Sequence, residues 1–170
     1  MSDRSAILIA DDDDDALVLL ENAFELAQIS NPRRIVRNGR EAIDYLSGNG
    51  IYADREMYPW PALMLLDLKM PASDGFEVLK WWSEHKRLKE LPIIVMTSSN
   101  QESDIQKAMA LGASAYQVKP GSFNYLVEVA RELRERWLKK REDGRPARLG
   151  WKRARGSEEP TQSVRARAAA

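Results

Sequence analysis

A chain of 170 residues can bury one good core, and a second full domain would be crowded within it. With 44% hydrophobic and 31% charged residues the composition is that of an ordinary globular protein; the absence of cysteine excludes disulfides and thiolate zinc sites, and no stretch approaches the roughly 18–20 apolar residues of a membrane span. Acidic and basic residues balance at 26 each, but residues 139–170 carry ten basic and four acidic side chains, so the tail stands at +6 and the remainder at −6.

The N-terminal Met1–Ser5 lacks the apolar run of a signal peptide, and a cytoplasmic location is the expectation. Ala6–Ala10 (AILIA) reads as a short buried strand, and Asp15–Gln28 as a helix with Leu17, Leu20, Phe24 and Ala27 on one face. Arg34–Arg37 is a weaker second strand, and Arg40–Leu46 a short helix ended by Gly48. Pro59 and Pro61 punctuate the loop before a third strand at Leu63–Leu66. Asp74 caps a helix running through Phe76, Leu79 and Trp82. Of the neighbouring Trp81 and Trp82, one is expected in the core and the other as an exposed contact; His85 is expected to be exposed and without a role. Pro92–Thr97 is the fourth strand, its proline placed where no ladder donor is lost. Ile105, Ala108 and Met109 stripe a fourth helix that stops at Gly112, and Ala115–Val118 is the fifth strand. Leu126, Val129, Ala130, Leu133 and Trp137 mark the last helix.

Five strands alternating with five helices imply an α/β domain with a parallel sheet covered on both faces. After Trp137 the periodicity fails. Residues 1–140 are the expected domain, and residues 141–170 a basic, disordered tail. Such a tail is either a solvated extension or a nonspecific contact with an acidic surface or nucleic acid. It has no apolar periodicity for a helix-turn-helix, so no sequence-specific DNA binding is expected, and no membrane partner either.

Ligands of open α/β sheets bind beyond the carboxyl ends of the strands. Just past those ends stand the aspartate run Asp11–Asp15, then Asp67, then Thr97 and Ser98, and finally Lys119 followed by Pro120. Clustered carboxylates repel one another unless a cation neutralises them, and an all-oxygen donor set suits Mg²⁺. A metal so held can take up phosphoryl oxygens, a lysine adds fixed positive charge, and a threonine hydroxyl can donate to a phosphoryl oxygen. Asp67, isolated at its strand end, is the natural nucleophile for an acyl phosphate. Asp13, Asp14 and Asp15 read as no more than a helix N-terminus, where negative charge is favoured.

On these residues the chain resembles the receiver domains of two-component response regulators, across roughly residues 5–138. ILIADD matches the acidic pair, LLDLKMPASDG the acceptor motif D-x-x-M-P-x-x-D-G, IVMTSS the switch hydroxyl and YQVKP the switch aromatic and the lysine. The resemblance implies a flavodoxin-like, doubly wound (βα)5 fold with strand order 2-1-3-4-5. It implies Asp67 as phosphoacceptor, with Lys119 and Thr97 as its catalytic partners, and Thr97 with Tyr116 as the switch. It implies Mg²⁺ held by Asp12, Asp67 and the backbone carbonyl of Lys69, with Asp11 acting mostly through water, and a cis Lys119–Pro120 peptide. Lys69 and Ser99 would tune the lifetime of the phosphoryl group. The implied partners are a histidine kinase, a downstream protein target reached through the face of the fourth helix, fifth strand and fifth helix, and a second copy of the chain as a homodimer. The long loop Gly48–Pro61, the segment Lys86–Pro92 and the ending at Trp137–Leu138 further resemble small single-domain regulators paired with bacterial phytochrome-type kinases.

The protein so implied is a phosphoacceptor that catalyses its own aspartyl phosphorylation and dephosphorylation, rather than an enzyme with a separate substrate. A phosphatase of the haloacid-dehalogenase type would need a carboxylate two residues after Asp67, where Lys69 stands. The alternative of a non-phosphorylated, receiver-like binding module is disfavoured because acceptor and lysine are both present. A flavin-binding relative would need a phosphate-binding loop where the aspartates stand.

Overall fold

The computed structural model describes residues 5–139; the expectations for residues 141–170 lie outside the described residues. Strands β1 (Ala6–Ala10), β2 (Arg33–Val36), β3 (Pro61–Leu66), β4 (Ile93–Thr97) and β5 (Ala115–Val118) alternate with helices α1 (Asp14–Leu26), α2 (Gly39–Ser47), α3 (Gly75–Glu84), α4 (Glu102–Ala110) and α5 (Phe123–Leu133). All pairings are parallel and the sheet order is β2-β1-β3-β4-β5, as expected. A π turn, Arg134–Leu138, prolongs α5 and carries the buried Trp137.

The strands are apolar throughout because both faces of the sheet are covered. Ile7 and Ile9 of β1, with Leu63 and Leu65 of β3, point into a core closed by α1 and α5, where Leu17, Leu20, Phe24, Val129 and Leu133 meet them. The alternate residues Leu8, Ala10, Met64 and Leu66 face the other core, filled by Ala42, Tyr45, Val78, Leu79, Trp82 and Ile105 from α2, α3 and α4. Trp82 is the core tryptophan, its indole N–H donating to the Leu88 carbonyl at 2.9 Å. Trp81 is half-buried and stacks on the ring of the exposed His85 at 4.2 Å.

The loop between α2 and β3 is a folded unit in its own right. Tyr45, Tyr52 and Tyr58 form a ring cluster with centroids 5.0–6.1 Å apart. The Tyr45 hydroxyl donates to the Pro59 carbonyl at 2.7 Å, and Arg55 lies over both Tyr45 and Trp60. The same guanidinium donates to the carbonyls of Leu46 and Tyr58, each at 3.3 Å. At the two sheet edges, β2 and β5 are each four residues long.

Candidate functional site

Parallel strands all end at the same rim, and this geometry gathers residues far apart in sequence. β1 delivers Asp11, β3 delivers Asp67, β4 ends on Thr97, and Lys119 follows β5. The peptide N–H of Asp67 donates to the Ala10 carbonyl at 2.9 Å, and that of Lys119 to the Thr97 carbonyl at 2.7 Å, so the ladder itself continues into the site.

Asp11 and Asp67 are buried, at 7% and 6% exposure, and Asp12 is exposed. Two buried carboxylates need a counter-charge. Lys119 supplies it: its ammonium donates to Asp67 Oδ2 at 2.9 Å and pairs with Asp11 Oδ2 at 2.8 Å. The other oxygens are held by peptide N–H groups, Asp13 donating to Asp11 Oδ1 and Lys69 to Asp67 Oδ1, both at 3.0 Å. Burial raises the Asp11 pKa, and its bonds to Lys119 and Asp13 offset that only in part. For Lys119, burial favours the neutral amine, but the hydrogen bonds to Asp11 and Asp67 outweigh it and the pKa is raised.

One carboxylate oxygen from each of Asp11, Asp12 and Asp67 lies within 4.8 Å of the others, so the three can hold one metal ion together. Three hard oxygen donors, one of them open to solvent, fit a divalent cation that keeps part of its water shell. Lys69 is exposed and its backbone is drawn against Asp67 by the N–H bond just described.

The bond expected to aim the lysine is not of the expected kind: the described residues contain no cis peptide, and Lys119–Pro120 is trans. Pairing of Thr97 with Val118 across β4 and β5, followed by the Lys119 N–H bond to Thr97, already brings the ammonium to the rim. Thr97 and Tyr116 are both fully buried. The Tyr116 hydroxyl donates to the Ser99 carbonyl at 3.0 Å, so the aromatic ring is turned inward. Burial raises the Tyr116 pKa, with the carboxylates of Asp104 and Asp67 adding to the effect and the bond to Ser99 opposing it.

Two residues of the site have roles that the sequence reading did not assign, although Gly75 closes the acceptor motif. Gly75 lies so close to the acceptor loop that a Cβ there would stand 2.3 Å from the Asp67 carbonyl oxygen, and its own N–H donates to the Leu68 carbonyl. Asp104, at the start of α4, accepts the Ser99 hydroxyl at 2.5 Å. The run Asp13–Asp15 serves as expected: Asp13 caps α1 by accepting from the N–H groups of Asp15 and Ala16, and Asp14 and Asp15 lie in its first turn.

Residues 7–131 match the family model described as response regulator receiver domain. A curated relative, the probable methanogenesis regulatory protein FilR2 of Methanothrix harundinacea, is 32% identical over 91% of this chain and 90% of its own. Among solved structures, the response regulator RPA3017 in red light signaling of R. palustris is 34% identical, with a TM-score of 0.75 over 79% of this chain and 94% of that one. The phosphorylated cyanobacterial phytochrome response regulator RcpA is 30% identical, with a TM-score of 0.73 over the same shares. The Mn²⁺-bound form of the response regulator Rcp1 is also 30% identical, with a TM-score of 0.71 over 79% and 95%. Among the described residues, no helix is long and apolar enough to cross a membrane.

Proposed function

This chain belongs to the response regulator receiver family, and from that premise we propose that it works as a stand-alone phosphorylation switch with Asp67 as the acceptor. The observation that carries the reading is the Lys119 ammonium held between Asp67 and Asp11 at 2.9 and 2.8 Å, beside a third carboxylate within metal-sharing distance.

The donor in this reading is a phosphohistidine of a histidine kinase. An Asp67 oxygen attacks phosphorus in line; the new P–O bond forms as the P–N bond breaks, and the imidazole leaves with the bonding pair and takes up a proton. Asp67 comes to the reaction with its two oxygens already oriented, one by the Lys119 ammonium and the other by the Lys69 N–H. Lys119 keeps one charge fixed beside the incoming phosphoryl oxygens, and the Thr97 hydroxyl becomes a donor to one of them. Asp11, Asp12 and Asp67, with the Lys69 carbonyl, would hold Mg²⁺, which when bound offsets the phosphoryl charge in the transfer. Transfer shifts an existing equilibrium between packings of Thr97, Tyr116 and the α4–β5–α5 face, and a downstream protein or a second copy of the chain reads the result. Likeness to regulators whose names refer to phytochrome and red light supports a phytochrome-type kinase as donor.

Incubation with acetyl phosphate and Mg²⁺, followed by intact mass, tests the proposal. The expected result is one phosphoryl adduct that needs Mg²⁺ and is absent in Asp67→Asn. No adduct on the unaltered protein, from acetyl phosphate or from phosphoramidate, overturns it in favour of a binding module that is never phosphorylated. Neither Lys69 nor Ser99 has a carboxylate or amide to orient an attacking water, so the adduct is expected to survive for minutes; decay within seconds would contradict that.

A further inference from the structure

Helix α1 has two unlike faces. Leu17, Leu20, Ala23 and Phe24 are buried in the core shared with α5, while Val18, Leu19 and Leu26 stand 60%, 47% and 59% exposed. Leu19 and Leu26 lie two turns apart with the exposed Asn22 between them, so the outward apolar groups form one stripe. The helix carries Asp14, Asp15, Glu21 and Glu25 and no lysine or arginine. Arg37 pairs with Asp14 and Arg33 with Glu21, and the exposed Asp12 and Asp13 extend the negative charge past its first turn. An apolar stripe bordered by acids calls for a partner that is apolar and basic.

The described chain ends beside this helix. Arg134 donates to the Ala27 carbonyl and to Gln28 Oε1 at 3.3 and 3.4 Å, at the carboxyl end of α1. Three residues on, Trp137 joins the core of Leu20, Phe24 and Ala27. It is 8% exposed, and its indole N–H is buried without an acceptor among the described residues, a donor that a chain passing over it would satisfy. Lys139 then leaves the helical path in extended form. Further along the sequence, residues 148–155 (RLGWKRAR) combine Leu149 and Trp151 with Arg148, Lys152, Arg153 and Arg155 and contain no acid. The stretch from Lys140 to Leu149, extended, reaches about 33 Å. The 13 residues of α1 span about 20 Å, so the basic segment can reach any point along it.

We propose that the outer face of α1 is the docking site of the chain's own basic segment, residues 148–155. Leu149 and Trp151 cover Val18, Leu19 and Leu26, and the arginines and Lys152 meet the acids that border the stripe. Segment and helix carry opposite charge, and the segment follows from the point where the chain leaves α1. A docked segment lies beside the aspartates that open the rim at Asp11 and Asp12, so any protein that covers α1 must first displace it. The contact does not depend on the switch reading above.

The test places a photo-cross-linker in the full chain, as Val18→benzoylphenylalanine and separately as Leu26→benzoylphenylalanine. Glu128→benzoylphenylalanine, on the exposed face of α5, is the comparison. After irradiation of a mixture of ¹⁴N and ¹⁵N protein, peptide mass spectrometry should find residues 148–155 joined to α1 within one chain, at a yield several-fold above that at Glu128. Reversing Arg148, Lys152, Arg153 and Arg155 together to Glu should lower the α1 yield at least fivefold. In a second measurement, without the cross-linker, the same four reversals should shift the amide resonances of Val18, Leu19 and Leu26 and leave that of Glu128 in place. Equal yields at α1 and Glu128 overturn the proposal, since the segment would then meet the surface at random. Cross-links between isotopically different chains overturn it in favour of a second copy on α1. Unmoved α1 resonances in the reversed variant overturn it as well.

Discussion

Lys119 is what allows two carboxylates to sit buried side by side, and its removal would leave the two without their shared counter-charge. The residue with the least chemistry, Gly75, matters as much to the geometry. With the Asp67 carbonyl oxygen 2.3 Å from where a Cβ would be, Gly75→Ala must push the acceptor strand end and α3 apart. We expect a loss of about 2 kcal/mol in stability, of the size seen for overpacked cores. Phosphoryl adduct formation should slow at the same time, since Asp67 moves relative to Lys119. Urea melts and the acetyl phosphate assay check both, and an unchanged rate at lowered stability would separate fold from site. The aspartates and the lysine were legible in the sequence because strand ends of a parallel sheet share one rim. The trans Lys119–Pro120 bond was not, because residue order does not distinguish the two isomers of a bond to proline.

Among the elements, the helices and strands were legible to within two or three residues, because apolar periodicity and caps such as Asp74 are local signals. The loop from Gly48 to Pro61 was legible only as a loop. Its order comes from Tyr45 on α2 reaching Pro59, and from Arg55 bridging two rings and two carbonyls, none of which leaves a periodic trace. Arg55→Ala should therefore cost about 1–2 kcal/mol, a cation–π contact plus two hydrogen bonds partly open to water. Proteolysis within residues 48–61 should become faster, and limited digestion read by mass is the direct measurement. Cleavage at the unaltered rate would mean that the tyrosine cluster holds the loop alone.

For the molecule as a whole, the direction of the pKa shifts sets the alkaline limit of stability. Tyr45 and Tyr116 have raised pKa values, chiefly because burial penalises the phenolate, and Lys119 is raised because its two carboxylate partners outweigh its burial. In each case the folded state holds the proton more tightly than the unfolded chain does. The stability they contribute is therefore complete below the ordinary tyrosine and lysine values and is lost as pH rises through the folded ones. Thermal melts should hold level up to about pH 9.5 and fall steeply beyond it. Tyr45→Phe should flatten part of that fall. A melting temperature that stays level to pH 11.5 would show that these groups titrate alike in both states.

Every sheet that does not close into a barrel has two edges whose backbone groups can recruit another chain. Here neither edge makes a good template. Each is four residues long, and β2 begins with two arginines: Arg33, paired with Glu21 at 3.0 Å, and Arg34, which donates to the Met57 carbonyl at 2.9 Å. The three inner strands β1, β3 and β4, far more apolar, are shielded behind them. For the switch proposed above, such blunt edges keep the backbone ladder from recruiting neighbours and leave recognition to side chains.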